Sequence, residues 1–331
     1  MRKLLLLGAA ALMVPSVAFA DGEAPAAPVG WYFGAGAGWT DMELPEHANA
    51  AANVPDIGGG VYEAPSLQTD VDGVSYGGAV GYDWASGWRW GVGARFFDGD
   101  GSASQAISLL DGQSVRRGNI FGLTQIDGAL AGPRDGDHTL DVDVNEFSVG
   151  TSIGRNLGGM FRADIVASYN DTSTTYVSEV DVTGGGFTDF GRTSTKFSTS
   201  TVELAARVSA NIGLSEGISL GLGGSAGWGI RNIDMDASQR RLFNGGLASA
   251  TALTEDRDVD AIIARLDASL NYAVSPGTMI GLTANYVYDD SVPGYVEPTY
   301  AAGIGNTGTA ATFETDSQTT MTYGARLVGR F

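Results

Sequence analysis

Arginine and carboxylate side chains recur at every second position in several segments, and they are the residues with the most capacity for chemistry. In 202–212, Glu203 and Arg207 occupy one parity, while the other parity carries Val, Leu, Ala and Ile. A planar guanidinium can grip a carboxylate through two parallel hydrogen bonds, which an ammonium group cannot do. The candidate site residues with this placement are Arg89, Arg95, Glu146, Arg162, Asp164, Glu203, Arg207, Arg265, Asp267, Arg326 and Arg330.

Two roles are open for these side chains. They could line a passage that selects anionic or zwitterionic solutes, or they could neutralise one another in ion pairs that brace a closed interior. Glycine and serine share their parity, as in 219–227. These small residues could widen a narrow bore, make room for the arginines, or relieve strain in a tightly curved sheet.

Strict alternation of apolar and polar residues predicts that β-strands position these groups, because successive side chains of a strand point to opposite faces. Tight turns rich in Gly, Ser and Pro separate some of the strands. Long connections separate the others, at 41–72, 98–141, 171–197, 231–257 and 289–316. The ten predicted strands are 31–40, 75–84, 88–96, 146–153, 161–169, 202–212, 218–230, 262–272, 280–288 and 321–331.

This pattern predicts an all-β fold, a transmembrane antiparallel up-and-down β-barrel of about ten strands with short periplasmic turns and long extracellular loops. The apolar parity would face lipid, and the candidate site residues would face the lumen. Trp and Tyr residues near both ends of the strands predict two interfacial girdles. The alternative is a soluble β-sandwich, which would bury its apolar face in a core.

The start of the chain predicts export. Arg2 and Lys3 precede an apolar run at 4–17 and the small-residue site Ala18-Phe19-Ala20, which is typical of a secretory signal peptide over 1–20. The run is short for a membrane-anchoring helix. We expect a short periplasmic segment at 21–29 and a single outer-membrane barrel domain at 30–331.

Composition narrows the function classes. Without Arg2 and Lys3, 17 basic and 38 acidic residues leave a net charge of −21, which argues against nucleic acid as a partner because a phosphate backbone requires a basic surface. The absence of cysteine excludes disulfides and thiolate metal sites. The candidate site residues that are predicted to face the lumen carry a small net positive charge, so most of the acidic residues are expected in the long loops.

The end of the chain carries a resemblance. Tyr323 and Phe331 share a parity in 322–331, and this aromatic-terminated strand resembles the terminal assembly signal of bacterial outer-membrane barrels. Together with 81–96, 161–169 and 214–227, it is loosely similar to the Legionella-type major outer-membrane porin family. The resemblance implies pore formation and recognition of the C-terminal strand by the barrel-insertion machinery.

The predicted function is a porin-like channel in the bacterial outer membrane for passive diffusion of small solutes, in contact with membrane lipid and lipopolysaccharide. One alternative is a closed barrel with a structural or surface-interaction, adhesin-like role. A less favoured one is an omptin-like hydrolase, in which Asp135 or Asp137 would pair with His138. The other histidine, His47, and the Gly/Asp-rich 98–102 complete no catalytic or metal-binding motif. We therefore expect no enzyme activity, cofactor or metal.

Overall fold

The computed structural model describes residues 29–45, 61–63, 67, 69–109, 114–117, 124–125, 134–297 and 312–331. The predicted signal peptide, most of the predicted periplasmic segment and His47 lie outside these residues. The strands are β1 (Gly30–Glu43), β2 (Val61–Glu63), β3 (Val71–Asp83), β4 (Trp88–Leu109), β5 (Ser114–Arg117), β6 (Thr124–Gln125), β7 (Arg134–Gly158), β8 (Phe161–Gly184), β9 (Phe187–Ser215), β10 (Ile218–Phe243), β11 (Gly246–Ser275), β12 (Thr278–Glu297) and β13 (Thr312–Arg330).

Ten of these strands form a closed antiparallel barrel in the order β1-β13-β12-β11-β10-β9-β8-β7-β4-β3. The first and last barrel strands close the ring, with Trp39 opposite Tyr323. The short strands β2, β5 and β6 form a separate sheet. The predicted ten-stranded up-and-down barrel is confirmed. Within the described ranges, no helix is both long and apolar enough to cross a membrane.

The apolar parity faces outward around the barrel. Leu204, Leu266 and Leu282 are 60–64% exposed, which a water-soluble protein would avoid but lipid acyl chains accept. The apolar faces therefore do not pack on each other as in a β-sandwich. Exposed aromatic side chains flank this band at the short-turn end (Trp31, Trp84, Trp88 and Tyr272) and at the opposite end (Trp39, Tyr169, Trp228 and Tyr288).

All five long connections are shorter than the sequence predicted, because strands extend into them; within 98–141, for example, β4 continues to Leu109 and β7 begins at Arg134. Two of the five are not loops at all. Segments 171–197 and 231–257, expected as loops, are continuations of β8–β9 and β10–β11 that end in tight turns. Gly185, Gly186, Asn244 and Gly245 turn the chain with φ between 50° and 85°, the left-handed region that glycine and asparagine tolerate best. The barrel wall therefore extends well beyond the outer aromatic girdle.

The chemical character of the two faces reverses where this extension begins. In β10, Trp228 and Ile230 point outward, whereas Ile233 and Met235 are buried inside. Strand pairing is continuous through this region, so the inside and outside parities are unchanged. Exterior positions beyond it are acidic, as at Asp234, so acidity that was expected in the loop 231–257 lies instead on the outer face of a strand.

Between the outer parts of β11 and β12 the barrel wall lacks backbone pairing in the described residues, and we call this gap the seam. Their ladder runs from Ser275 to Ile263; farther out, β11 pairs with β10 alone among the described strands. Two side chains of β12 bridge the start of the gap. Asp290 Oδ1 accepts a 2.7 Å hydrogen bond from the Ile262 amide, and Ser291 Oγ donates to the Asp260 carbonyl at 2.8 Å.

Candidate functional site

Near the periplasmic end, the interior is filled by a layer of buried charges that we call the periplasmic ion-pair layer. Arg89 donates to the Asp83 carboxylate through Nε and Nη2, and its Nη2 lies 2.8 Å from Asp83 Oδ2. Arg330 Nη1 lies 3.1 Å from the same oxygen. The Arg89 guanidinium also lies 4.7 Å from the centre of the Tyr32 ring. The layer consists of Asp83, Arg89, Arg162, Asp164 and Arg330.

A second group of ion pairs lies deeper in the barrel. Arg207 Nη2 contacts both Asp267 oxygens at 3.0 and 2.9 Å, and Arg265 Nη2 donates to Glu203 Oε2 at 2.7 Å. Arg326 instead donates to Ser269 Oγ at 3.0 Å and to Asn271 Oδ1 at 2.6 Å. Guanidiniums here are held by carboxylates or neutral acceptors from strands two places away in the barrel, which ties neighbouring parts of the wall together.

Interior glycines make room for these charged side chains. A Cβ added to Gly223 would lie 2.5 Å from Asp267 Oδ1, and one added to Gly227 would collide with the Glu203 carboxylate. Of the three roles left open by the sequence, accommodation of the charged side chains is the one that this geometry supports at these positions.

Toward the extracellular side, two further charge pairs border open space. Arg95 Nη1 lies 3.7 Å from Glu146 Oε1. Arg231 donates to Asp289 Oδ1 at 2.9 Å and to the Ser291 carbonyl at 2.6 Å. Arg231 and Asp289 were not among the predicted site residues, although each continues the inward parity of its strand by one step. Tyr32, on the inward parity of β1, was missed as well.

Between these charge groups lies a cavity of about 240 Å³, which we call the luminal cavity. Small and hydroxyl-bearing side chains from most of the barrel strands line it. Examples are Gly93, Ser148, Thr172, Thr199 and Thr320. The periplasmic ion-pair layer closes its lower end, because Asp83, Arg89, Arg162 and Arg330 are nearly inaccessible there.

Apolar side chains close the upper end. These side chains lie one inward position farther from the periplasm than residues that line the cavity. On β9, which runs toward the periplasm, Phe197 precedes the cavity residue Thr199; on β10, which runs the opposite way, Ile233 follows the cavity residue Arg231. The Phe197 ring lies 5.7 Å from that of Phe313 in an edge-to-face contact, a favoured aromatic geometry. This extracellular apolar cluster comprises Met42, Leu67, Val71, Phe97, Leu140, Val142, Val144, Tyr176, Phe197, Ile233, Met235, Ala237 and Phe313.

A second cavity, of about 370 Å³, lies on the outer side of the same cluster. Leu140, Val142 and Tyr176 of the cluster line it, together with rim residues such as Asp70 and Asp316. We call it the vestibule. The extracellular apolar cluster therefore separates two cavities within one barrel.

The proposed Asp–His pair does not form. His138 lies on β7 rather than in a loop, and it is buried inside, with Nε2 3.0 Å from Ser178 Oγ. Asp135 and Asp137 are exposed on the opposite face of the strand, as strand alternation requires. In the described part of the chain, no three acidic or histidine side chains gather as a metal ion would require.

The residues of the predicted terminal assembly signal lie on the exterior. Tyr323 is 56% exposed in β13, and Phe331 is 77% exposed just beyond it. The Phe331 amide donates to the Trp31 carbonyl at 3.1 Å, and its ring centre lies 6.0 Å from that of Phe33. The terminal residue is thus in register with β1 while its ring remains accessible.

Two ionisable side chains beyond the outer aromatic girdle have raised pKa values. Burial within the extracellular apolar cluster raises the pKa of the Tyr176 hydroxyl, because the ionised form would lose its hydration. The pKa of the exterior Asp234 is raised by partial desolvation and then by the neighbouring carboxylate of Asp256. Neither group lies within the membrane-spanning band.

No protein family and no curated protein matches the sequence. Among solved structures, the chain is similar to the outer membrane protease OmpT from Escherichia coli, with 11% identity over 92% of this chain and 96% of that chain and a TM-score of 0.38. It is also similar to the translocator domain of the autotransporter NalP from Neisseria meningitidis, with 10% identity over 91% and 89% and a TM-score of 0.37.

A FadL homologue from Pseudomonas aeruginosa shares 10% identity over 96% of this chain and 94% of that chain, with a TM-score of 0.28. The specific resemblance to the Legionella-type porin family, and the expectation that the protein is not an enzyme, therefore stay predictions.

Proposed function

We propose that the protein is a porin-like outer-membrane channel for small solutes and that the barrel described here is its closed form. The observation that carries this proposal is the pair of cavities on either side of the extracellular apolar cluster. A barrel of about eight strands is filled by its own side chains. Here, the small side chains of glycine, serine and threonine leave open space in the lumen of a ten-stranded one.

The extracellular apolar cluster has the character of a gate. An apolar constriction excludes water and ions when it is narrow, and it conducts once its side chains separate. Phe197 and Phe313 come from β9 and β13 on separate parts of the ring, so a small relative movement of the wall would part them. A solute would then pass from the vestibule into the luminal cavity.

The alternative function, a closed barrel with a structural or surface-interaction role, is favoured by the periplasmic ion-pair layer. Removing one partner of a buried ion pair costs about 3–5 kcal/mol. The ion pairs of Asp83 with Arg89 and Arg330 would therefore hold the periplasmic end of the lumen closed. In that case, the extended hairpins beyond the girdle would provide the contact surface.

Conductance in planar lipid bilayers separates the two functions. We expect the purified wild type to give rare, small conductance steps. Phe197→Ala should give more frequent or larger ones, and Phe197→Ala combined with Arg330→Gln the largest. Leu204→Ala, a truncation on the lipid-facing parity of the same strand, is the matched control and should behave as wild type. If every variant that retains heat-modifiable mobility on gels is silent, the closed-barrel function replaces the channel.

We further propose that the aromatic girdles place the barrel in contact with membrane lipid and lipopolysaccharide, and that the insertion machinery reads the C-terminal strand. Exposed tryptophans at both edges of the apolar band support the first part. The accessible ring of Phe331 supports the second.

A further inference from the structure

Arginines outnumber carboxylates among the residues that line the luminal cavity. Four arginines line it, Arg95, Arg207, Arg231 and Arg265, but only two acidic residues do, Glu146 and Asp289. The carboxylates that pair with Arg207 and Arg265 are not part of the lining. Asp267 and Glu203 nevertheless lie within hydrogen-bond distance of these two guanidiniums and neutralise them. Arg95, whose contact with Glu146 is 3.7 Å, is therefore the lining arginine whose charge is least compensated, in a barrel interior where water screens charge weakly.

Among the interior arginines, Arg95 is the most loosely held. Its contact with Glu146 measures 3.7 Å, whereas the other interior ion pairs are 3.1 Å or shorter. Its Nη2 lies 3.5 Å from Thr40 Oγ1, and its Nε has no hydrogen-bond partner among the described residues. The two Nη groups of a guanidinium carry four N–H donors, so those of Arg95, which lines the cavity, retain donor capacity beyond their two long contacts.

Neutral donors surround the same space. Thr172, Thr174, Thr199 and Thr320 line the cavity, and the Thr40 hydroxyl lies 3.5 Å from Arg95 Nη2. A guanidinium recognises a carboxylate or a phosphate, and a neighbouring hydroxyl can add a further donor. The cavity is smaller than the roughly 300–1,000 Å³ of sites for drug-sized molecules, which restricts the occupant to a small molecule.

We propose that the luminal cavity binds a small oxyanion, a carboxylate or phosphate group, on the Arg95 guanidinium. This inference rests on the proposed channel function and assigns its substrate class. Glu146 is the internal competitor for the same guanidinium, so a solute oxyanion enters by displacing a weak, 3.7 Å contact rather than a tight ion pair.

Isothermal titration calorimetry of the full-length protein in detergent tests the proposal, with acetate and inorganic phosphate as separate probes in a low-chloride buffer. Wild type should bind at least one of them. Arg95→Gln should weaken that binding about tenfold or more, the scale of a charged hydrogen bond. Glu146→Gln should strengthen it severalfold, because the competing carboxylate is gone. Arg192→Gln removes an exterior arginine paired with Glu179 at 3.3 Å and should leave binding unchanged.

Absence of binding to wild type, or equal binding by wild type and Arg95→Gln, would overturn the proposal. If Arg95→Gln does not fold, the Glu146→Gln titration decides: weaker or unchanged binding contradicts the assignment. The two proposals fail separately. Conductance without oxyanion binding would leave the channel and remove its substrate class, whereas binding without conductance in any variant would leave a closed barrel with an anion site.

Discussion

The Asp83 carboxylate in β3 lies 3.1 Å from the Arg330 guanidinium in β13, and this ion pair spans the intervening strand β1. Arg89 of β4 holds the same carboxylate from the other side. One acidic residue thus connects strands on both sides of the point where the barrel closes.

Asp83→Asn is expected to destabilise the barrel strongly. Both guanidiniums would remain buried without their carboxylate, and removing one partner of a buried pair costs about 3–5 kcal/mol. The temperature at which the folded band disappears from semi-native gels should fall. Glu179→Gln removes a carboxylate from the exposed pair with Arg192, worth at most about 1 kcal/mol, and serves as control. Equal effects of the two substitutions would contradict the bracing role of Asp83.

The position of the membrane boundary can be tested on one strand and one face. Leu222 and Asp234 both point outward from β10, one within the apolar band and one beyond the outer girdle. Leu222→Arg should destabilise the protein in lipid vesicles by about 2–4 kcal/mol, the cost of Arg near the bilayer midplane. Asp234→Arg should change the free energy of unfolding by no more than about 0.5 kcal/mol. A similar loss at both positions would refute the assigned boundary.

Phe331→Ala is expected to reduce assembly rather than stability. The ring is largely exposed, so its loss removes little packing from the folded barrel. We expect severalfold less heat-modifiable protein in the outer membrane and an unchanged unfolding midpoint for the fraction that assembles. Phe161→Ala, an exposed aromatic residue at the start of β8, provides a non-terminal control. Unchanged assembly of the Phe331 variant would exclude the terminal signal.

Tyr176 should make the extracellular extension sensitive to alkali. Burial raises its pKa in the folded protein above the ordinary value of 10.0, so the folded state holds this proton more tightly than the unfolded state. The contribution to stability is complete below pH 10 and is lost as the pH rises above it. Tyr176→Phe should show a smaller loss of stability between pH 9 and about pH 11 in unfolding titrations; an unchanged slope would contradict the assignment.

Parity alone was sufficient to predict the barrel, because every membrane-spanning strand carries apolar residues on one face, as in 202–212. It failed at 171–197 and 231–257 because the apolar residues change sides there. In β10, the exterior sequence ends at Ile230 and the interior one begins at Ile233. A prediction based on apolar residues at every second position therefore ends the strand at this point, although the strand continues in the structure.

The interior positions of the charged residues followed from the same parity, but their partners did not. Arg207 pairs with Asp267 from two strands away, while Arg326 finds Asn271 and Ser269 instead of a carboxylate. Such choices depend on the tilt and stagger of the strands, which set the heights at which side chains meet. The burial of His138 likewise required knowing that its segment is a strand.

The seam between β11 and β12 makes the upper wall mechanically uneven. Below Ile263, a continuous ladder joins the two strands, whereas above it Asp290 and Ser291 provide two side-chain attachments. A cylinder stiff around most of its circumference and tethered at a few points along one line deforms along that line first. Thermal fluctuations of the extracellular wall are therefore expected to be largest at this seam. There β11 would move away from β12, while the hydrogen-bonded ring within the bilayer stays intact.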